Sequence, residues 1–546
     1  MRTRRRGVCE AEWVRGPVLV ATLLALGSAP GARASVPDVA PLRGWDRAAG
    51  VRVAAAMELA PGDVHRVVLP SRRWALSLTL HAPDGAALRI SSREGAPAAR
   101  LHAEDGHLTS AFGLRPRDAV RVPRQVTQQP GTNRIELVGS AAGARLTVNG
   151  VLNEDMPRTV SSLTLRNTGT RPLLLEALTL TPLARRDALL LHRIAHLRSH
   201  TAPGRFPLGE SGELHFSGGW TSGFWPSALW QASRLVPAGP YDDWALAAST
   251  ARIGREKTPI HDVGFMFGRS VAAAHERLCA RRAATARCRV LRRSGLAAAE
   301  TLAALARTSV TGMIPTDAEG TEAETIVDSL MNVGLLTWAS RVSGNRSFAE
   351  LARRHARLVS ALLMRPDGST IQAAVHDRAG GRLLRLGTRQ GLSDGSTWAR
   401  GQAWAIHGLA SVGSDLGDRV LVGAAERAAG YWVAAAPRRG LPPYDFAAGR
   451  SAPRDSSAGA IAAAGMYELA RACARLGGAC ARGRAHWRDA AGSALASALT
   501  AVSAKSPLGR VGEQAGTVGP RGGAWDDRAE LIWGLDFLLE AVAARG

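Results

Sequence analysis

Near residue 184 the chain changes its hydrophobic period, and that change limits what each part can fold into. Before it, short runs alternate apolar and polar residues. Trp74 to Leu80 reads Trp-Ala-Leu-Ser-Leu-Thr-Leu, and Arg134 to Val138, Arg145 to Val148, Val160 to Leu165 and Leu173 to Leu180 continue the series. A period of two sends successive side chains to opposite faces, as a half-buried strand requires. Asn149-Gly150 tolerates the positive φ of a tight hairpin, and Asn167-Thr168-Gly169 marks another turn. Regular short strands with turn signals predict a β-sandwich over residues 35–183. Arg145-Leu-Thr-Val-Asn-Gly-Val151 resembles a hairpin of jelly-roll and laminin-G-like carbohydrate-binding modules. A purely structural sandwich and a glycan-binding one both stay open.

From residue 184 to 546 the period becomes helical. Ala and Leu dominate, with Gly or Pro at the breaks. The pattern predicts helices at Asp187–Leu197, Ser227–Leu235, Val271–Arg287, Ala297–Thr308, Glu324–Ser340, Phe348–Leu363, Ala399–Val412, Arg419–Ala435, Ser457–Leu476, Ala485–Leu499 and Arg528–Ala543. Gly401, Ala405 and Gly408 repeat at helical spacing and would let helices approach closely. A toroid of paired helices accounts for this, with a site at its mouth. An open solenoid is the alternative, but no repeat of fixed period supports it.

At 546 residues the chain exceeds one ordinary domain. Its first 34 residues read as a secretory signal. Arg2, Arg4, Arg5, Arg6 and Arg15 form a basic front, Pro17 to Gly27 is apolar, and Ala32-Arg33-Ala34 offers a cleavage site before Ser35. The apolar run is too short for a stable membrane anchor. An exported protein is therefore expected. Cys279 and Cys288 lie close in sequence, as do Cys473 and Cys480, which suits two local disulfides or four separate buried thiols. Neither pair has C-x-x-C spacing.

The formal net charge is +23, and removing the six Arg and two Glu of the leader leaves +19. Such a charge favours an anionic partner. Lys257 and Lys505 are the only lysines, so part of the Arg excess reflects compositional bias. No nucleic-acid-binding motif, P-loop, dinucleotide fingerprint or G-x-S-x-G elbow is present. His355, His376 and His407 lack metal-ligand spacing and read as ordinary hydrogen-bonded histidines.

The segment Gly387 to Gly408 gathers Gln390, Trp398, Arg400, Gln402 and Trp404. Rings cover the apolar face of a sugar, amides meet hydroxyls, and a guanidinium meets a carboxylate. The competing reading puts the tryptophans in a helix core. Phe216 to Trp230 divides the same way between a sugar platform and a core plug. Asp262 sits in His261-Asp-Val-Gly-Phe265, near a helix start. Asp328 falls inside the predicted helix, four residues from Asn332, among Ile326, Val327, Leu330 and Met331. An acid in such surroundings is costly unless paired or functional, and burial would raise its pKa. Arg454-Asp-Ser-Ser457 could simply cap the helix that follows.

Taken together, these motifs resemble glycoside hydrolase family 88, the unsaturated glucuronyl hydrolases. The matching pieces, in family order, are Gly219-Trp-Thr-Ser-Gly-Phe-Trp-Pro226, His261-Asp-Val-Gly-Phe265, Val327-Asp-Ser-Leu-Met-Asn332, Arg365-Pro-Asp-Gly-Ser369, Gln390-Gly391, Trp398-Ala-Arg-Gly-Gln-Ala-Trp404, Tyr444-Asp-Phe446 and Arg454-Asp-Ser-Ser-Ala458. The resemblance implies an (α/α)6 barrel over residues 184–546. It also implies hydration of the C4=C5 double bond of an unsaturated uronic acid at the non-reducing end of an acidic oligosaccharide. Asp328 would be the acid/base and Asp262 its assistant. Trp220, His261, Gln372, Gln390, Trp398, Arg400, Gln402 and Trp404 would form the substrate shell, and the chemistry needs no metal or organic cofactor. Gln372 stands where family members commonly have histidine, Leu392 where an aromatic is usual, and Tyr444 where Trp is usual. A polysaccharide lyase on a related toroid and a non-catalytic glycan binder are the rival functions. The parent polysaccharide and the oligomeric state stay open.

Overall fold

The computed structural model describes strand segments between residues 51 and 182, and residues 185–502 and 530–545 apart from 211–212, 237–240, 280–284 and 450. The expected leader, residues 1–34, lies outside the described residues. The strand half forms two antiparallel sheets of seven and six strands. In the first, Trp74–His81 lies between Leu173–Pro182 and Thr132–Ser140. Gly143–Val148 pairs with Val151–Met156 so that Val148 faces Val151, which leaves two residues for the hairpin. Leu78, Leu88, Ile90 and Leu165 are buried, and Leu88 and Ile90 flank a half-buried Arg89 as strand alternation requires. Asn167 organises its turn with its own side chain. Its amide donates to Leu59 O and Arg171 O and accepts from Gly169 N.

The helical half contains α1 (Arg185–Ser199), α2 (Phe224–Leu235), α3 (Tyr241–Thr250), α4 (Val263–Phe267), α5 (Ala273–Cys279), α6 (Ala286–Leu305) and α7 (Ser329–Asn332). It continues with α8 (Gly334–Ser343), α9 (Arg346–Leu363), α10 (Ala399–Leu416), α11 (Arg419–Ala435), α12 (Ser456–Leu476), α13 (Gly478–Ala498) and α14 (Ile532–Arg545). Packing closes a ring: α2 lies on α14, α14 on α12, α12 on α10, α10 on α7, α7 on α4, and the π-helical turn Gly268–Ala272 after α4 returns to α2. Outside the ring, α3 backs α2, α6 backs α4 and α8, α9 backs α8, α11 backs α10, α13 backs α12, and α1 backs α14 and α2. This is an α/α toroid, not an open solenoid.

The two layers differ in sequence for a physical reason. An outer helix needs one apolar stripe, and α9 buries Phe348, Leu351, Ala352, Ala356, Val359 and Leu363 while leaving arginines outside. An inner helix is covered on every side, and α12 is buried almost continuously from Ser456 to Met466, mostly as Ala and Gly. Small residues let the inner backbones touch. A Cβ on Gly408 would come within 2.6 Å of the Leu330 carbonyl carbon. Asp418 caps α11 by accepting from Val420 N and Leu421 N, and it also holds Arg357 of α9 at 2.9 Å.

Two sequence expectations are corrected. Val271–Arg287 is not one helix, because α5 ends at Cys279 and α6 begins at Ala286. Glu324–Ser340 opens as a strand, Glu322–Ile326, paired with Ala373–Asp377, before the chain turns into α7 and α8. The apolar run suits either state, and pairing with a distant strand decides it. Cys279–Cys288 and Cys473–Cys480 are disulfide-bonded. Among the described residues, no helix is long and apolar enough to cross a membrane.

The contact of α4 with α7 leaves no room for a side chain. A Cβ on Gly264 would lie 2.5 Å from the Cα, Cβ and O of Asn332. Gly264→Ala is expected to destabilise the fold by about 1–3 kcal/mol through overpacking, read as a lower urea midpoint in equilibrium unfolding.

Candidate active site

The starts of the inner helices α2, α4, α7, α10 and α14 border one cavity of about 210 Å³. Its wall takes Trp220 and Thr221 from the turn before α2, Asp262 and Phe265 from the start of α4, and Ile326 and Asp328 from the strand-to-α7 junction. Gln390, Trp398, Arg400, Leu208 and Trp533 complete it. Apart from Leu208 and Ile326, which lie in strands, each sits just before or inside the first turn of an inner helix, or on a loop leading to one. The N-terminal ends of the longer helices therefore face the same space and favour negative charge there.

Asp262 and Asp328 both occupy N-cap positions, yet neither side chain caps its helix. Asp455 shows the contrast. Its carboxylate accepts from Ala458 N as a true N-cap, from Ser457 Oγ, and from Arg400 Nη1 at 2.9 Å. The capping reading of Asp455 therefore holds, with a second task added: it fixes Arg400. The guanidinium of Arg400 also lies 4.7 Å from the centre of the Trp398 ring and 5.6 Å from that of Trp533. Burial lowers its pKa, opposed by Asp455 and Asp328.

Asn332 fixes Asp262. Its Oδ1 accepts from Phe265 N at 2.7 Å and its Nδ2 donates to Asp262 Oδ1 at 3.1 Å. Nδ2 also lies 3.3 Å from His261 Nδ1, and His261 Nε2 lies 3.4 Å from Asp262 Oδ1. The shared face of Asp328 and Asn332 expected from sequence is thus replaced by a different link. Asn332 reaches Asp262, whereas Asp328 turns to the cavity from the strand end.

Asp328 Oδ2 is buried and meets no protein donor. The Asp328 pKa is raised to about 7, first by desolvation and then by the Asp262 charge, while Arg400 opposes the rise. Behind it, Ser329 Oγ donates to Ile326 O and contacts His355 Nε2 at 2.8 Å. His355 Nδ1 accepts from Ile314 N, so Nε2 carries the proton. Burial pushes the His355 pKa down to about 3, which keeps it neutral. A hydrogen-bonded structural histidine, as expected, thus supports the acid's neighbour. His407 contacts Glu540 at 2.7 Å, whereas His376 Nδ1 has no protein partner.

Gln372 lies behind the cavity wall. Its Oε1 accepts from Thr388 Oγ1, Arg389 N and Gln390 N, and its Nε2 donates to Gln390 Oε1 at 2.6 Å. It orients the loop that presents Gln390. Asp445 holds the next part of that loop through Leu392 N and Ser396 Oγ, and Arg365 holds it through Gly395 O, Ser396 O and Thr397 Oγ1. Several quoted motifs are therefore clamps for the segment carrying Gln390 and Trp398.

Gln402 and Trp404 do not line the cavity. Gln402 donates to Gly368 O and Ala428 O between helices, and Trp404 packs against Phe265 and Phe537. The aromatic loop divides likewise: Trp220 faces the cavity, while Phe224, Trp225 and Trp230 are buried in the core. Trp533, Thr221 and Leu208 escaped sequence reasoning. Trp533 reaches the site through Glu530–Leu531, which pairs with Pro207–Glu210. Only that pairing reveals it.

A scan of family models matches none to this chain. The chain is 33% identical over 279 residues to an unsaturated glucuronyl hydrolase of Bacillus sp. (strain GL1), across 49% of this chain and 72% of that relative. It is 29% identical over 259 residues to an unsaturated chondroitin disaccharide hydrolase of Streptococcus pyogenes serotype M1, across 46% of this chain and 63% of that relative. The crystal structure of the unsaturated glucuronyl hydrolase from Bacillus sp. GL1, described as responsible for the degradation of glycosaminoglycan, superposes with a TM-score of 0.55 at 27% identity. That superposition covers 65% of this chain and 94% of the other. On the basis of these likenesses the chain belongs to the unsaturated glucuronyl hydrolases, a family of glycoside hydrolases.

Proposed function

We propose that the enzyme hydrates the C4=C5 double bond of an unsaturated uronic acid at the non-reducing end of acidic oligosaccharides left by polysaccharide lyases. The observation that carries this reading is the sharing of one small cavity by Asp262 and Asp328, with the Asp328 pKa near 7. A carboxyl group in that range can hold a proton at neutral pH and release it in the reaction. Asp328 donates its proton to C4, positive charge develops toward C5 and the ring oxygen, and water adds to C5. The same carboxylate takes the proton lost by that water, so the acid is regenerated. The product is a hemiketal, which opens and releases the remaining sugar. Asp262 carries the negative charge that stabilises the developing cation and sustains the high pKa of its neighbour. Arg400 supplies positive charge for the uronate, and Trp220, Trp398 and Trp533 give it flat apolar walls.

The two N-terminal sheets are proposed to face one another as a sandwich appended to the catalytic toroid. Export after removal of residues 1–34 is supported by the leader-like sequence and by the two disulfides, which suit an oxidising compartment. The net positive charge fits an acidic substrate.

The direct test follows the near-ultraviolet absorbance of lyase-generated disaccharides. The absorbance falls if the double bond is consumed. A rise with intact polysaccharide would indicate a lyase, and binding without any change would indicate a non-catalytic protein. Asp328→Asn is expected to lower kcat by about 10³-fold or more with the far-ultraviolet circular dichroism spectrum preserved.

The proton donor is the acid form, so kcat should fall as pH rises through about 7. Asp262→Asn removes a charge that raises the Asp328 pKa, so the alkaline limb of its residual activity should move to lower pH.

Stability should also depend on this proton. Between the ordinary Asp range and pH 7, the folded protein holds a proton on Asp328 that the unfolded chain has lost, so stability falls as pH rises across that window. Asp328→Asn should therefore raise Tm by a few degrees at pH 8, on the order of 1 kcal/mol, and by little at pH 4.

A further inference from the structure

A second cavity, of about 470 Å³, opens beside the first and has no part in the reaction described above. Its wall includes Arg205, Arg252 and Arg255 together with Phe206, Phe216 and Gly218. Arg252 is only 2% exposed. Its Nη1 donates to Gly218 O at 3.3 Å, but Nε and Nη2 are buried without a protein acceptor. Its guanidinium carbon lies 4.9 Å from the centre of the Phe206 ring. Glu256, four residues on, turns away to Gly254 N and Ser294 Oγ. A permanently charged fork with unmet donors is costly inside a protein unless something anionic meets it. Arg205 and Arg255 are exposed at the same cavity, and Arg205 is held 3.9 Å above the Phe216 ring.

The two cavities have walls that continue one another along the chain. Phe206 borders the second and Leu208 the first. Gly218 borders the second and Trp220 the first. Hence a group bound beside Arg252 would sit next to the approach to the catalytic acids.

We propose that the Arg205–Arg252–Arg255 cavity is an anion site that takes an oxyanion group, sulfate or carboxylate. That group is either carried on an acidic oligosaccharide entering the neighbouring cavity or comes as a free inorganic ion. Arg252 provides the planar fork and the two rim arginines provide attraction and orientation.

Calorimetric titration of the full chain with sodium sulfate, at constant ionic strength maintained with chloride, tests the site directly. Saturable binding is expected, weakened about tenfold in the double variant Arg205→Ala/Arg255→Ala and further in Arg252→Gln. The rim variant changes only exposed side chains, so it stays readable even if Arg252→Gln fails to fold. Asp328→Asn should bind sulfate as the wild type does, which separates this site from the reading of the catalytic cavity. The source of the anion follows from KM. A rise of about tenfold in the rim variant for a disaccharide sulfated on its second sugar, with the unsulfated one unchanged, assigns the site to substrate. Loss of sulfate binding without that rise assigns it to the free ion. Absence of saturable sulfate binding together with an unchanged KM for the sulfated disaccharide would overturn the proposal, as would sulfate binding that is equal in wild type, rim variant and Arg252→Gln.

Discussion

The contact between Gly264 and Asn332 is the constraint on which the active site depends. It brings the start of α4 against the end of α7 with no room for a Cβ. Because Asp262 immediately precedes α4 and Asp328 immediately precedes α7, this one approach delivers two carboxylates to a single cavity. The Asn332 amide then uses the same contact as a bracket, accepting from Phe265 N and donating to Asp262. The backbone of one helix and the carboxylate of the site are held by one side chain.

Two negative groups in one small space would repel without an organised response. Here the response is unequal. Asp262 is hydrogen-bonded by Asn332 and flanked by His261, whereas Asp328 keeps an oxygen with no protein donor and shifts toward its protonated form. Environment, not residue type, separates the two acids. Arg400 moderates the shift, and Asp455 moderates Arg400, so charge balance runs from the mouth into the cap of α12.

Deeper between α4, α10 and α14, the protein solves a similar problem differently. Arg269, in the π-helical turn, pairs with Asp536 and Glu540 and lies 4.1 Å from the centre of the Phe537 ring, while His407 contacts the other oxygen of Glu540. That cluster pairs each charge with an opposite one and links the turn after α4 to α10 and α14. Burial of such charges is sustainable only when nearly every one is matched. Asp328 differs in having its unmatched oxygen at a cavity wall, where a ligand can approach it.

The sequence by itself determined the class of each half, the ends of helices whose caps and breakers are local, and a set of motifs in family order. Arg419–Ala435 was legible to the residue because Asp418 supplies both cap bonds within its own turn. Asp262, Asp328, Trp220, Gln390, Trp398 and Arg400 were named as candidates from their chemistry and the family resemblance, and the structure sets them around one cavity, whereas His261, named with them, is not part of its wall. The state of the chain around Asp328 was not legible, because its apolar run fits a helix or a strand until Ala373–Asp377 pairs with it. Only the tertiary structure sent Gln402 and Trp404 into the interior and Gln372 behind Gln390, and brought in Trp533 through a distant strand. The physical reason is that local periodicity assigns a face to a residue, whereas the space that face meets is set by elements distant in sequence.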